Sequence, residues 1–402
     1  MINKAYKVHL YPSQEQEVLL NKTFGCVRLV WNTLLAKNIK GYEDNNKDWK
    51  QDYNTTIVKK DYNFMGEVSA ASLQQKSRDL KETYSQWFKS ITGKRKGKAL
   101  GYPKFKKKGV KDTYRLPNQK FSIFQDSNII RLEKVGKVLC KYPDTIPEDS
   151  KLISVTISKL KSGKFYASIV VEQEIKHLPL TGKKTGIDLG LKDLATLSNG
   201  VVIKRTNYLR DNQSKIKKVQ QHLSRKVKGS NRYEKQRKKL ASIQELVSNR
   251  RSWFTHNITK ALVKDYDLIC VETLSSQEMQ SFSGINKVLT EVSLFEVVRQ
   301  LEYKCNYYGK TFVKVDKWFA SSQICNICGK KNKEVKDLKI RSWVCSGCGE
   351  KHDRDHNAAK NILKQGFNDI SGELLDYRRG DFLETFNYVK EIENFVETPK
   401  IL

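Results

Sequence analysis

Apolar and polar residues alternate at the start of the chain. In KAYKVHLYPSQEQ, Tyr6, Val8 and Leu10 keep a period of two, which predicts a strand. Ser13 with Gln16 then reads as a capping box before an apolar run. Leu20, Phe24, Val27, Trp31, Leu34 and Leu35 follow at helical spacing, so the strand leads into a long helix. A second helix is predicted around 70–89, with Leu73, Leu80, Tyr84, Trp87 and Phe88 on one face. Residues 113–175 return to a β pattern. Gly136 marks a turn in IIRLEKVGKVLCKY; Ile153, Val155 and Ile157 alternate, turn at Ser162-Gly163 and come back through Phe165, Ala167 and Ile169. Several short strands after one N-terminal strand predict a small barrel, with helices inserted between its first strand and the rest.

A new unit begins near Lys183. GIDLGLKDLATLSNGVVI reads as two strands with a tight connection. A basic helix pair follows in 211–240 and continues through Trp253 and Ile258. DYDLICVETL is a short buried strand ending on a carboxylate, a helix is predicted around 294–308, and TFVKVDKW is another strand. Strands alternating with helices make this half α/β.

Charge narrows the class of partner. The 402 residues hold 75 Lys and Arg against 44 Asp and Glu, a net charge of +31. Such an excess points to a polyanion, nucleic acid ahead of a membrane surface. No run approaches the roughly 18 consecutive apolar residues of a spanning helix, and the Met1 end lacks a signal-peptide core, so the expectation is a cytoplasmic protein with no membrane partner. The segment 91–111 holds nine Lys and Arg and no acid. In it Tyr102 and Phe105 stand among Lys104, Lys106, Lys107 and Lys108, an interleaving suited to base stacking with phosphate contact. The segment 211–240 holds eleven Lys and Arg against two acids and adds Arg225, Lys226, Arg237 and Lys238 as candidate contacts. From Gly366 onward the balance inverts to eight acids against four bases. That stretch reads as a mobile tail or one packing helix, or as a competitor with nucleic acid for the basic groove.

Cys26, Cys140, Cys270 and Cys305 each sit beside apolar residues and read as buried small hydrophobes. The other four are paired, Cys325-x-x-Cys328 and Cys345-x-x-Cys348, with 16 residues between the pairs. Two knuckles at this spacing can wrap one Zn²⁺, and four thiolates close the site, which makes the metal structural. A redox dithiol is the alternative, disfavoured by two matched pairs. His352 and His356 are then not needed as ligands.

The carboxylates carry the chemistry. Asp188 lies inside the apolar strand of GIDLG, where an unpaired acid is costly. Glu272 ends another apolar strand. Taken singly, each could be a salt-bridged or capping residue. Asp353 and Asp355 open a helix, where the dipole favours an acid as cap. Asp355, Ala358, Ala359 and Ile362 share one small, apolar face that could lie on a sheet; Asp353 should face elsewhere, as cap or support. Asp188, Glu272 and Asp355 could thus converge at one end of a sheet and hold Mg²⁺ or Mn²⁺, two such ions clamping a scissile phosphate.

With these motifs the chain resembles the TnpB proteins of bacterial insertion sequences, compact relatives of type V CRISPR effectors. The matching stretches are GIDLGLKDLATLSNG (186–200), VETL (271–274) and SSQICNICGKKNKEVKDLKIRSWVCSGCGEKHDRDHNAAKNIL (321–363), with LYPSQEQ, VWNTLL and GYPKFKKK nearer the N-terminus. The resemblance implies a multidomain α/β protein. Its parts would be a wedge-like β-barrel (1–12 and 113–182), a helical recognition domain (13–112), a RuvC nuclease domain of RNase H-like fold (183–321 and 351–367), a zinc-ribbon insertion (322–350) and an acidic tail (368–402). It implies RNA-guided cleavage of double-stranded DNA beside a short motif, with a guide RNA derived from the transposon end and a monomeric ribonucleoprotein. It assigns the catalytic, metal-holding acids to Asp188, Glu272 and Asp355. Many members carry an acid after the catalytic Glu where this chain has Thr273, and the acidic tail matches no family motif. A CRISPR-RNA-guided effector, a guided DNA-binding regulator that does not cut, and a strand-joining transposase are the competing readings.

Overall fold

The computed structural model describes residues 1–44, 51–174, 177–273, 293–337 and 339–376. The chain divides into two compact units, Met1–Glu174 with Val219–Ser242, and Ile175–Lys218 with Ile243–Leu402.

The first unit opens with strand β1 (Ile2–Tyr11) and helix α1 (Gln14–Asp44). Between them the capping box forms as the sequence predicts: the Ser13 amide donates to Gln16 Oε1 (3.0 Å) and the Gln16 amide to Ser13 Oγ (3.3 Å). Helices α2 (Thr55–Asp61) and α3 (Ala70–Ile91) follow, α3 capped by Ser69. Six strands complete the unit: β2 (Asp112–Pro117), β3 (Phe121–Phe124), β4 (Ile129–Leu132), β5 (Gly136–Lys141), β6 (Lys151–Lys159) and β7 (Phe165–Gln173). All seven strands pair antiparallel in the order β2-β6-β7-β1-β5-β4-β3. The edge strands β2 and β3 are joined by only Asn118–Lys120, a link that reaches about 13 Å at most. The sheet must therefore curl until its edges nearly meet, and it forms a near-closed barrel. Gly136 and Gly163 turn the chain at φ of 84° and 96°, a region that disfavours residues with a Cβ. Val8, Leu116, Ile130, Val155, Ile157, Ala167 and Ile169 point inward, and Leu20, Phe24, Leu34, Leu73, Leu80 and Tyr84 from α1 and α3 extend the same core.

The second unit is built on strands β8 (Lys184–Leu189), β9 (Ala195–Leu197), β10 (Val202–Ile203), β11 (Leu268–Glu272) and β12 (Thr311–Val315) in the order β10-β9-β8-β11-β12. The strands β8, β11 and β12 run parallel; β9 runs antiparallel to β8, and β10 antiparallel to β9. Where the sequence predicts two strands in 186–203, the structure has three, because the two-residue β10 is too short to show alternation. Helices α4 (Tyr208–Ser224) and α5 (Asn231–Asp265) form the expected basic pair, followed by α6 (Leu294–Tyr308) and α7 (Arg354–Asp376). A two-stranded ribbon, β13 (Ser342–Val344) and β14 (Lys351–Asp353), precedes α7.

Strand β11 is buried on both faces, as a parallel strand between helices must be. Ile269 and Val271 pack with Leu262, Val263, Leu294, Val297 and Leu301 of α5 and α6, while Leu268 and Cys270 pack with Val315 and with Ile362 of α7. The helix predicted over 357–363 starts earlier and runs on through Asp376, so the first residues of the expected acidic tail continue α7. The rest of that tail, 377–402, lies outside the described residues. No helix among the described residues is long and apolar enough to cross a membrane.

Candidate active site and metal centre

Gly186 and Asp188 lie two residues apart on β8 and so face the same side of the sheet. Cys270 and Glu272 do the same on β11. Gly186 is registered with Cys270 and Ile187 with Val271, so Asp188 and Glu272 stand side by side at the C-terminal ends of adjacent parallel strands. Helix α7 covers that side at very short range. A Cβ on Gly186 would lie 2.1 Å from the Ala359 carbonyl oxygen, and one on Gly366 would lie 2.5 Å from Cys270 Sγ. Glycine on the sheet meets helix backbone, and glycine on the helix meets the sheet. Ala358, Ala359 and Ile362 are buried there, the face the sequence assigns to Asp355.

Asp353 Oδ1 accepts the His356 amide at 2.9 Å, so Asp353 is the N-cap of α7. Asp355 falls in the first helical turn and pairs with Arg341 at 3.4 Å. Glu272 accepts a hydrogen bond from Ser321 Oγ at 3.3 Å. Thr273 continues β11 by donating its amide to the Val315 carbonyl (2.9 Å), and its side chain is exposed. Burial first, then the negative charges of Asp355 and Glu272, push Asp188 up to about 7, with Arg354 and Arg341 opposing. Burial also raises Glu272, partly offset by Ser321. Asp355 and Glu272 are thus close enough to Asp188 to disfavour its charge. Converging carboxylates short of compensating charge are a donor set suited to a hard divalent cation such as Mg²⁺ or Mn²⁺.

The sulfurs of Cys325, Cys328, Cys345 and Cys348 lie within 4.8 Å of one another, the one donor group this tight among the described residues; the three carboxylates are spaced more widely. Cys325 and Cys348 are 3.7 Å apart and Cys328 and Cys345 3.5 Å. A tetrahedron with bonds of about 2.3 Å has edges of about 3.8 Å, so the cluster fits Zn²⁺. His352 is buried beside it with Nε2 3.1 Å from Cys325 Sγ, a partner of one sulfur and not a fifth member of the group.

Buried amides on α7 tie the two sites together. Asn357 Oδ1 accepts from the amide (3.0 Å) and side chain (2.8 Å) of Asn326, which lies inside the first knuckle. Asn361 donates to the carbonyls of Ser321 (2.8 Å) and Ile324 (2.6 Å). Sequence reasoning passed over Arg341, Ser321, Asn357 and Asn361. The two asparagines were the findable ones, as buried polar positions one turn apart in NAAKN.

The basic loop of the first unit is fastened to α1. Trp31 Nε1 donates to the Lys104 carbonyl (3.1 Å), and Asn32 exchanges hydrogen bonds with both backbone groups of Lys106 (2.8 and 3.1 Å). Lys104, Phe105, Lys107 and Lys108 remain exposed. Two of the expected nucleic-acid contacts, Tyr102 and Lys106, are half-buried and also make contacts within the protein. The Tyr102 ring packs edge-on against Tyr84 and Trp87, its hydroxyl 3.0 Å from that of Tyr84. The Lys106 ammonium sits 3.6 Å from the centre of the Trp31 ring, and burial, then Lys76, lower it to about 8. Arg225, Lys226 and Lys238 are exposed, while Arg237 pairs with Glu234 at 2.8 Å.

Comparison with known proteins adds relatives along most of the chain. Residues 168–282 match a family model described as "Probable transposase" (OrfB of IS605), residues 295–362 one described as "Cas12f1-like, TNB domain", and residues 1–47 one described as "Helix-turn-helix domain". In this chain 1–44 forms a strand and one continuous 31-residue helix. A protein of Escherichia coli (strain K12) named "Putative RNA-guided DNA endonuclease InsQ" is 30% identical over 391 residues, covering 90% of this chain and 92% of that one. A "Putative RNA-guided DNA endonuclease" of Streptomyces pristinaespiralis is 29% identical over 377 residues, covering 91% and 90%. Among solved structures, the "Cryo-EM structure of the Cas12f1-sgRNA-target DNA complex" superposes with a TM-score of 0.51 at 14% identity, over 90% of this chain and 98% of that one, a likeness of fold.

Proposed function

The chain belongs to the TnpB family, and from that premise we propose that it cuts double-stranded DNA at sites chosen by a bound guide RNA. We assign the cutting to Asp188, Glu272 and Asp355 as the acids of an RuvC-type site on an RNase H-like sheet. The observation that carries this reading is the pair of acids at adjacent parallel strand ends under a helix bearing the third, with Asp188 raised by burial and then by the other two. Bound there, Mg²⁺ or Mn²⁺ would neutralise a scissile phosphate and acidify the attacking water. The three carboxylates would hold the ions, Arg341 would hold Asp355 in place, and Ser321 would orient Glu272. The four cysteines would hold Zn²⁺, which keeps the ribbon folded and presents Arg341 to the acids.

Guide RNA in this reading derives from the transposon end, and the protein acts as a monomeric ribonucleoprotein. The exposed cations Lys104, Lys107, Lys108, Arg225, Lys226 and Lys238 contact phosphate, while pairing with the guide selects sequence. Guided binding without cutting is the weaker reading, because all three acids are present. The test is to purify the protein with its flanking locus, sequence the bound RNA and challenge the complex with a target plasmid library and Mg²⁺. Co-purifying RNA and cutting at matching sites are expected, with Asp188→Ala binding but not cutting. No bound RNA defeats guidance, and an Asp188→Ala variant that still cuts defeats the site.

A further inference from the structure

Trp318 is the most exposed of the described aromatic side chains, at 77%. One exposed apolar side chain is ordinary on a protein surface. What sets this one apart is where its loop is fastened. At one end, Val315 is registered with Glu272 on the neighbouring strand, and its carbonyl accepts the Thr273 amide at 2.9 Å. At the other end, Ser321 Oγ donates to Glu272 itself. Both ends of the segment 316–320 are thus held at Glu272, one beside its backbone and one at its carboxylate, and the Trp318 Cα, three residues from Val315 and from Ser321, lies within about 10 Å of either Cα.

The loop is also held rigid. Asp316 accepts the Trp318 amide on its side chain (2.7 Å) and the Phe319 amide on its carbonyl (3.1 Å). Asn361 of α7 binds the Ser321 carbonyl, which ties the loop to the helix that carries Asp355. Phe319 turns inward onto the cluster of Val315 and Ile362, so it meets the loop's need for an apolar anchor and leaves Trp318 facing out. The Lys317 ammonium lies 4.4 Å from the indole centre, covering one face and setting a cation beside the ring. A ring face with an adjacent cation matches the base and phosphate of one nucleotide. A base can reach such a face only by leaving its own stack, so the ligand is an unpaired strand or a nucleotide pulled out of a duplex.

We infer that Trp318 stacks on a base of the DNA strand being cut and so places its phosphate at Asp188, Glu272 and Asp355. This inference rests on the nuclease reading above. Trp318 is a positioning residue in this role and does not itself react.

The test uses the protein purified with its RNA and a duplex target matched to that RNA. In an Asp188→Ala complex, single 2-aminopurine labels are walked along the strand left unpaired by the guide. One or two neighbouring labels should be quenched, and Trp318→Ala in the same background should restore their fluorescence. With Asp188 intact, Trp318→Ala should bind target within about twofold of the wild type and cut about 5- to 150-fold more slowly, the range that loss of one base–aromatic stack spans. Trp318→Phe should recover most of that rate. Labels that read the same with and without the indole, together with wild-type cutting by Trp318→Ala, overturn the inference. The fluorescence readout needs no cutting, so it decides the stacking even if the wild-type complex binds its target without cleaving it, the result that would defeat the nuclease reading.

Discussion

Helices α1 and α7 both lie against sheets, and they do so in opposite ways. Helix α1 meets the barrel through large side chains: Phe24 stacks on Phe165 with ring centres 6.4 Å apart and tilts against Tyr114 at 5.5 Å, within a core of leucines and valines. Helix α7 comes closest to its sheet through glycine, alanine and backbone, with Gly186 beneath the Ala359 carbonyl and Gly366 over Cys270, and Ile362 and Phe367 pack beside them. The first contact is made of volume, and what it secures is stability. The second is made by leaving volume out, and what it secures is position, because it brings the first turn of α7 down to the strand ends that carry Asp188 and Glu272.

The difference is sharpest on substitution. Gly186→Ala would put a methyl group 2.1 Å from a backbone oxygen that has no rotamer to yield. Helix α7 would have to lift, and a displacement near 1 Å at a reacting centre lowers rates by about 100-fold. Overpacking should also remove about 3 kcal/mol of stability from the second unit. Phe24→Ala, by contrast, should cost about 3–5 kcal/mol in the first unit and leave cutting per folded molecule nearly unchanged. Denaturant melts combined with cutting rates on the folded fraction separate the two. Equal effects on rate would show that α7 is no more exacting than α1.

Close approach also forces like charges together. Asp188 holds its proton up to about pH 7 in the folded protein, against an ordinary value of 3.8. The native state therefore binds that proton more tightly than the unfolded chain does. Its contribution to stability is full below about pH 4 and is lost as the pH rises through about 7. Asp188→Asn removes the ionisation and should stabilise the metal-free protein above pH 7 by up to about 4 kcal/mol, with little difference below pH 4. Mg²⁺ should stabilise the wild type and not the variant. A difference between the two that is independent of pH would place the strain elsewhere.

The division between what was and was not legible follows the same line. Cysteine spacing, the acids ending apolar strands and the face shared by Asp355, Ala358, Ala359 and Ile362 are local patterns, and a sequence displays them. Gly186 is not legible in this way, since a glycine two residues before an acid reads equally as a turn; its role exists only once α7 returns from 173 residues downstream. The half-burial of Tyr102 and Lys106 is illegible for a related reason. A run of cations and rings carries no direction, and only the hydrogen bonds of Trp31 and Asn32 to the loop decide which side chains turn inward.

Position at α7 has a second support, the thiolate cluster. Asn326 in its first knuckle grips Asn357, and Arg341 between its cysteine pairs reaches Asp355. Cys345→Ser should lower bound zinc below one per chain, measured by elemental analysis, and slow cutting by about 10- to 100-fold, as loss of a supporting shell does. Cys26→Ser, buried in the first unit, should change neither. Cutting that survives loss of zinc would mean that the glycine contact alone positions Asp355.

Arg341 should give the smallest effect on stability and a separable one on charge. Its pair with Asp355 is long, at 3.4 Å, and half exposed, so Arg341→Ala should destabilise the protein by less than about 1 kcal/mol. Arg341 is, however, one of two cations that hold Asp188 down against burial and two neighbouring acids. Removing it should raise Asp188 further and move the alkaline loss of metal-free stability to higher pH, while Arg341→Lys keeps the charge and moves it less. If Arg341→Ala leaves that pH dependence where it was, the guanidinium acts on Asp355 alone. The ribbon would then contribute a tether to the acids and no part of their electrostatics.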